Sequence, residues 1–104
     1  MSRLNELSEM GCVVCWREWR IVTPPEIHHL RGHPWSGAGQ RASDEHTIPL
    51  CPHHHRHGAP GEVGYHQSPE QFEARYGTQA ELLDYVNRRL ETSDWREEAM
   101  QCSQ

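Results

Sequence analysis

The chain contains no lysine, only one phenylalanine and no long apolar run. A membrane-spanning helix needs about 20 consecutive apolar residues, and no segment approaches that length. The N-terminus also lacks the basic and then apolar pattern of a signal peptide. We therefore expect no membrane partner and a cytoplasmic location, where thiols remain reduced and free to bind metal.

Apolar side chains are scarce in general. They make up 35% of 104 residues, beside seven prolines and eight glycines, so we expect one small domain with a thin core. Such a domain often needs a disulfide or a bound metal ion to stabilise its fold. Cys12 and Cys15 form a C-x-x-C motif, Cys51 lies among histidines and Cys102 is isolated near the end. This pattern favours zinc over a disulfide framework and leaves Cys102 as a free thiol.

Positive charge is limited, because all ten basic residues are arginines and the net charge is -5. This balance argues against nucleic-acid binding, but the acidic excess falls mostly on residues 67–104. Arg31, Arg41 and Arg56 lie in the central part of the chain, and a guanidinium fork suits phosphate. We expect these three arginines to contact DNA, with solvated loop charges as the alternative.

Histidine is the residue that the chain has in excess. Eight of its nine histidines lie between Glu26 and His57. Imidazole is the commonest metal ligand and the side chain that titrates near neutral pH, so this density indicates metal binding or proton transfer. Local signals predict a short helix that begins at Cys51-Pro52 and ends at Gly58, preceded by two strands, EIHHL and HTIPL.

Helices are predicted on both sides of this region. The first runs from Ser2 to Met10, and the segment that follows it, GCVVCW, is predicted as a turn. Two further helices are expected to begin at Ser68 and Thr78, each at a capping residue. Residues 93–104 are predicted to form a last, frayed helix.

These signals predict an α+β fold, small and stabilised by zinc. The whole chain, 1–104, is expected to be a single domain. Its metal-binding core is predicted at residues 11–66, with helical support and an acidic tail at 67–104.

Two pairs of residues form the first metal-binding constellation. Cys12 and Cys15 stand at the spacing of a zinc knuckle, as do Cys51 and His54. Three sulfurs and one nitrogen complete a tetrahedral structural Zn2+ site, which a small domain with a thin core has good reason to use. The alternative is that Cys51 is a small buried apolar residue and that His54 belongs to a run of surface histidines.

A second constellation consists of the pair His28-His29 together with His46 and His55. Successive side chains of a strand point to opposite faces, so one ring of the pair can bind a metal ion while the other reaches a different point. Phosphodiester hydrolysis needs this division, because a divalent cation neutralises developing charge while a neutral imidazole takes a proton from water. Adjacent histidines are common on surfaces, but these lie between the two halves of the predicted zinc site.

The order of these features resembles the HNH, or ββα-metal, endonucleases, in which two strands and a short helix surround one metal ion. Similarity to the phage recombination enhancement nucleases of the Ref family lies in EIHHLRG, GQRASDEHTIPLCPHHHRHG and FEARYGTQAELLDYV. The resemblance covers about Gly11 to Leu90. It implies a metal-dependent HNH endonuclease core with flanking α-helices. Such an enzyme would hydrolyse DNA phosphodiester bonds in the bacterial host cell, on DNA bound by a RecA-type recombinase.

The resemblance also implies a role for individual histidines. His29 would be the general base, and His28 the first ligand of a catalytic Mg2+ or another divalent cation. His55 would close the motif as a second ligand, and His66 corresponds to a histidine that can add another. His46 stands where the family pattern has a central asparagine, so we expect it either to bind the metal or to brace the catalytic loop. The remaining histidines are expected at the surface: His33, His53 and His57.

The family pattern further implies a basic extension that helps to bind DNA, and this chain begins almost at the nuclease core. We therefore expect modest and strongly salt-dependent DNA affinity, with a recombinase filament as the partner that presents the substrate. The main alternative function is a small zinc-stabilised module that binds protein or nucleic acid without catalysis. Another alternative keeps the metal chemistry but acts on RNA or another phosphoester. Removal of His29 separates the nuclease from the binding module, because only the nuclease would lose an activity.

Overall fold

The computed structural model describes residues 2–37 and 40–92. Within these residues the chain forms helices at both ends and a small sheet in the middle. In chain order the elements are α1 (Arg3–Met10), α2 (Val13–Trp19), β1 (Glu26–His29), β2 (Thr47–Leu50), a π-helical turn (His53–His57), α3 (Pro69–Tyr76) and α4 (Gln79–Glu91). The helix predicted over residues 93–104 and the thiol of Cys102 lie outside the described residues.

The helix ends follow the local signals of the sequence. The side chain of Ser2 accepts a hydrogen bond from the backbone N–H of Asn5 at 3.3 Å and caps α1. Thr78 and Glu81 form a reciprocal capping box at the start of α4, which satisfies two backbone N–H groups. Gly11 ends α1 with a φ of +88°, and a Cβ at this position would lie 2.9 Å from Val22. The predicted start and end of α1 and the predicted start of α4 are thereby confirmed.

The segment after α1 differs from its prediction. Residues 11–16 were expected to form a turn, but α2 begins at Val13 and continues to Trp19. The sulfur of Cys12 acts as the helix cap, because it accepts the backbone N–H of Cys15 at 3.5 Å. Residues three apart on a helix share one face, so the helix brings the two sulfurs together as well as the predicted turn would have done.

Both predicted strands are present, and they pair with each other. β1 and β2 run antiparallel in a two-stranded sheet, with Glu26 opposite Leu50 and His29 opposite Thr47. The π-helical turn follows β2 almost directly and ends at Gly58. The predicted α+β class is therefore confirmed, whereas the identification of these elements as a ββα-metal core and the predicted division of the chain stay predictions.

Aromatic side chains from the C-terminal half connect the core to the histidines. The only phenylalanine, Phe72, is fully buried, and its ring contacts those of Tyr65 and Tyr76 with centroids 5.5 and 5.1 Å away. Tyr65 in turn contacts the ring of His28 at 4.7 Å, and Tyr76 contacts that of His54 at 5.2 Å. One aromatic cluster thus contacts a histidine in each of the two predicted metal sites.

Arg3 joins three elements that are distant in sequence. Its guanidinium donates to the side chain and the carbonyl of Thr47 on β2, and to Asn87 on α4. Helix α4 packs against the core through Leu82 and Val86, which are fully buried. Among the described residues, no helix has the length and apolar character needed to cross a membrane.

Candidate metal centres and catalytic cleft

The four residues of the first constellation lie together in the interior. Cys12 and Cys15 come from the start of α2, Cys51 follows β2, and His54 belongs to the π-helical turn. All four side chains are buried, and their potential ligand atoms lie within 4.8 Å of one another. This cluster can hold a metal ion such as zinc.

The distances within the cluster match those of a tetrahedral zinc site. Zn–S bonds of about 2.3 Å and Zn–N bonds of about 2.0 Å place neighbouring sulfurs about 3.8 Å apart and sulfur and nitrogen about 3.5 Å apart. The sulfurs of Cys15 and Cys51 are separated by 3.8 Å. Nδ1 of His54 lies 3.2 Å from the sulfur of Cys51, 3.5 Å from that of Cys15 and 3.7 Å from that of Cys12. The residues present therefore fit zinc in both donor type and spacing.

A carboxylate outside the cluster orients its histidine. Oε1 of Glu62 lies 2.6 Å from Nε2 of His54, and an ionised carboxylate can only accept, so Nε2 donates. Nδ1, the nitrogen that faces the sulfurs, is then the one available to a metal. Glu62 is itself fixed by the hydroxyl of Tyr76 at 3.0 Å. Outer carboxylates of this kind fix the tautomer of a ligand histidine and raise its basicity.

The close contacts within the cluster shift the pKa values of three of its residues. Burial lowers the pKa of His54, but hydrogen bonds with two cysteines and with Glu62 outweigh burial and raise that pKa to about 10. Hydrogen bonds with Cys12 and Cys15 hold the pKa of Cys51 far below its usual range. Burial and the neighbouring sulfurs raise the pKa of Cys12, because several thiolates repel one another in a small apolar space. A bound dication would reduce that repulsion and take the place of the protons.

Three histidines form a second, separate cluster. His28 lies on β1, His55 on the π-helical turn and His66 on the loop before α3. Their ring centroids are 4.8 to 5.3 Å apart, and their potential ligand atoms lie within 4.8 Å of one another. The structure thus brings together all three histidines that the resemblance assigned to the catalytic cation.

The histidines of this cluster differ in environment. His28 is buried, and burial lowers its pKa to about 4, so its ring is neutral at physiological pH. Burial also lowers the pKa of the more exposed His66. The Nδ1–H of His55 donates to Oε1 of Glu26 at 2.9 Å, which leaves Nε2 of His55 available to a metal. Neutral imidazoles with a free nitrogen are the form that binds metal ions.

His29 has a different partner from its neighbour. Its Nε2 lies 3.0 Å from Oδ1 of Asp44, in the loop that connects the strands. Because the carboxylate accepts, Nε2 carries the proton and Nδ1 is left with a lone pair. The adjacent histidines therefore have the separate surroundings that strand alternation predicted.

The histidines open into a cleft of about 540 Å³ beside the loop between the strands. Its polar lining includes His28, His29, His55, His66, Arg31 and Arg41. The guanidinium of Arg56 instead forms a two-point ion pair with the carboxylate of Glu26. Two of the three predicted DNA-contacting arginines thus line the cleft, and the third is held by the carboxylate that also contacts His55.

His46 lies apart from the other predicted site residues. Its Nδ1 is 3.3 Å from the hydroxyl of Ser43, and its carbonyl accepts the backbone N–H of Leu30. Within the described residues it belongs neither to the cleft lining nor to either potential metal cluster. Of the two roles considered for His46, this position favours bracing of the loop.

Four polar residues that contact the key histidines had no assigned role in the sequence. They are Glu26, Asp44, Glu62 and Gln79, which contact His55, His29, His54 and His28 in that order. Three of them lie inside the segments that resemble a known family, and this location was the only signal that pointed to them. Glu62 lies outside those segments, and no local pattern marks it.

The chain is similar to a known protein family and to individual known proteins. A family model described as "Recombination enhancement, RecA-dependent nuclease" matches residues 1–91. The chain is also similar to the uncharacterized protein YdfU of Escherichia coli (strain K12), at 38% identity over 64 residues. That similarity covers 61% of this chain but only 16% of the relative. No solved structure matches the chain significantly.

Proposed function

This chain belongs to the recombination enhancement, RecA-dependent nuclease family, and from this premise we propose that it is a metal-dependent DNA endonuclease of the HNH, or ββα-metal, type. A nuclease role in recombination follows from the family. The HNH chemistry is supported by one observation above all. Three histidines that can share a cation lie in the same cleft as His29, whose Nε2–H donates to Asp44 and whose Nδ1 is therefore free.

In this proposal the histidines of the cleft have two tasks. His28, His55 and His66 hold a divalent cation, which when bound supplies positive charge against the phosphate and the leaving oxygen. His29 accepts a proton from the attacking water at Nδ1, because its other nitrogen donates to Asp44. Asp44 keeps the ring in that tautomer and stabilises the imidazolium that forms.

The donor set bears on the identity of the cation. The expected ion was Mg2+ or another divalent cation. Imidazole nitrogens suit zinc, nickel or iron, whereas Mg2+ prefers carboxylate and water oxygens. Three imidazoles therefore support a transition-metal ion in the cleft. The sulfur-rich cluster supports a second, structural Zn2+, since it offers four protein ligands and leaves no position open.

The family and the two arginines of the cleft support a substrate and a partner for this chain. Arg31 and Arg41 line the cleft and can contact DNA phosphates. With a net charge of -5, the chain is expected to bind naked DNA weakly. We propose that a RecA-type recombinase filament presents the DNA and supplies the missing affinity.

The decisive experiment is a cleavage assay with purified protein. Single-stranded and duplex DNA are incubated with and without a recombinase filament, in Mg2+, in Zn2+ or Ni2+, and in EDTA. We expect cutting that EDTA abolishes and that His29→Ala lowers by about 10² to 10⁴. His57→Ala is the matched control, because His57 is an exposed histidine outside both clusters. Absence of cutting under every condition would favour the non-catalytic binding module. Cutting of RNA but not of DNA would show that the substrate is RNA.

A further inference from the structure

The first residue of α4 reaches back to the end of β1. Gln79 is only 5% exposed, and its side-chain amide pairs with the backbone of Arg31. Its Nε2 donates to the carbonyl of Arg31 at 2.9 Å, and its Oε1 accepts the N–H of Arg31 at 2.8 Å. The side-chain amide of Gln79 thus pairs with Arg31 as the backbone of a neighbouring β-strand would, with one hydrogen bond donated and one accepted.

The pairing fixes which end of the amide faces His28. If the amide were flipped, its NH2 group would oppose the backbone N–H of Arg31 and its oxygen would oppose the carbonyl. Both contacts would be repulsive in a buried position, where an unpaired polar group destabilises the fold. The orientation of Gln79 is therefore set by the backbone.

The same oxygen of Gln79 lies 3.0 Å from Nε2 of His28. An amide oxygen can only accept, so Nε2 of His28 must carry the proton. A neutral imidazole has one N–H, and the lone pair then lies on Nδ1. We propose that Gln79 is a positioning residue that selects this tautomer of His28 and thereby makes Nδ1 the nitrogen that binds the cation of the cleft. This inference rests on the proposed function, in which the cleft holds a cation. It adds Gln79 as the residue that orients the first ligand, His28.

The capping structure of α4 holds Gln79 in place. Its backbone N–H donates to Oε2 of Glu73 at 3.0 Å, and Thr78 caps the helix immediately before it. The amide also connects the ligand to the proposed DNA contact, because Arg31 follows His28 by three positions and lines the cleft. Displacement of Gln79 would therefore disturb both the tautomer of His28 and the backbone of Arg31.

The chemistry of an amide distinguishes this partner from those of the other histidines. His54 and His55 each donate to a carboxylate, whereas His28 donates to a neutral group. A carboxylate at position 79 could accept from His28 and from the N–H of Arg31, but it would face the carbonyl of Arg31 without a proton to donate. Glutamine satisfies all three groups, and this is the physical reason for an amide here.

Two substitutions separate tautomer selection from simple packing. Gln79→Met keeps the length of the side chain and removes both hydrogen-bonding groups. Gln79→Glu keeps an acceptor for Nε2 of His28 and removes the donor to Arg31. Gln71→Met is the matched control, because Gln71 is an exposed glutamine on α3.

The direct readout is the tautomer of His28, measured by long-range ¹H–¹⁵N NMR of the imidazole in the purified protein without DNA. We expect the Nε2–H form in the wild type, in Gln79→Glu and in Gln71→Met, and a mixture of tautomers in Gln79→Met. The second readout is the affinity for Co2+, titrated after the cysteine cluster has been filled with zinc. Gln79→Met should weaken this affinity about 10- to 100-fold, the usual effect of losing a partner outside the ligand shell.

A packing role alone would give a different result. It predicts that both substitutions lower stability in urea unfolding and that the tautomer is the same in each. An unchanged Nε2–H tautomer in Gln79→Met, or its loss in Gln79→Glu, would overturn the proposal. A wild-type protein that has the Nε2–H tautomer but binds no Co2+ in the cleft would support the tautomer assignment and overturn the proposed function instead.

Discussion

Oε1 of Glu62 lies 2.6 Å from Nε2 of His54, on the side of the ring that faces away from the three cysteines. This contact leaves Nδ1 as the nitrogen directed at the sulfurs. The same relationship recurs at three other histidines of the candidate site, where one ring nitrogen contacts an oxygen and the other stays available. The remaining pairs are His28 with Gln79, His29 with Asp44 and His55 with Glu26.

Removal of Glu62 should loosen the metal of the cysteine cluster. With Glu62→Ala, His54 loses its orienting partner, and we expect zinc release about 10 to 100 times faster than in the wild type. Transfer of zinc to a coloured chelator measures the rate. Glu70→Ala removes an exposed carboxylate from the first turn of α3 and serves as the control. Equal release rates in the two variants would contradict the role of Glu62.

Loss of one sulfur ligand should unfold much of the domain. Structural zinc contributes about 10 to 16 kcal/mol in small zinc domains, which is comparable to the whole stability of a domain of this size. We therefore expect Cys51→Ala to lose its cooperative thermal transition and its bound zinc. Cys102→Ala should retain both, because the sequence places Cys102 outside the two constellations. Wild-type melting of Cys51→Ala would show that the cluster is not a structural zinc site.

The pair of His29 and Asp44 should affect catalysis without affecting the metal. His29→Ala is expected to bind DNA and Co2+ like the wild type while its cleavage rate falls. Asp44→Asn should lower the rate by a smaller factor, because the amide can present its NH2 group to Nε2 and favour the wrong tautomer. Single-turnover cleavage and metal titration measure the two effects. If His29→Ala abolished DNA or metal binding, the roles of His28 and His29 would have to be exchanged.

The three arginines should differ in their contribution to DNA binding. Arg31→Ala and Arg41→Ala are each expected to reduce the slope of log K against log salt by about 0.7 to 0.9. Arg56→Ala should change the slope less, since its guanidinium already pairs with Glu26. Fluorescence anisotropy with labelled DNA at several salt concentrations gives the slopes. An equal loss for Arg56→Ala would mean that DNA displaces the ion pair.

The recombinase should matter most at high salt. At about 200 mM salt, counterion competition weakens phosphate contacts, so naked DNA should be cut poorly. A recombinase filament on the same DNA should restore cutting if it supplies the affinity. Robust cleavage of naked DNA under these conditions, unchanged by recombinase, would refute the partner requirement and leave the metal chemistry intact.

The local structure of this protein could be predicted from sequence because its causes are local. Ser2, Ser68 and Thr78 cap their helices through groups within four residues, and Gly11 ends a helix at a backbone angle that suits glycine. Each short strand contains a β-branched isoleucine, and breakers lie in the segments that flank the strands. The C-x-x-C segment was predicted as a turn, but a helix begins there. The spacing does not distinguish the two, because one turn of helix also brings residues three positions apart together.

The members of both metal clusters were predicted as well, from C-x-x-C and C-x-x-H spacing and from resemblance to a family. The structure brings these residues together, and the binding of metal ions stays a prediction. His46 shows the limit of this reasoning. It occupies the position of a motif residue, but among the described residues its ring contacts Ser43 and belongs to neither metal cluster.

Only the tertiary structure decided which partner each histidine has. The contact of His28 with Gln79 joins residues 51 positions apart, and that of His55 with Glu26 joins residues 29 apart. Every acidic or amide side chain in the sequence is chemically able to accept from an imidazole, so composition and spacing do not choose among them. The choice falls to the packing of α4 and the π-helical turn against the sheet, because a hydrogen bond forms only where the fold brings donor and acceptor to about 3 Å.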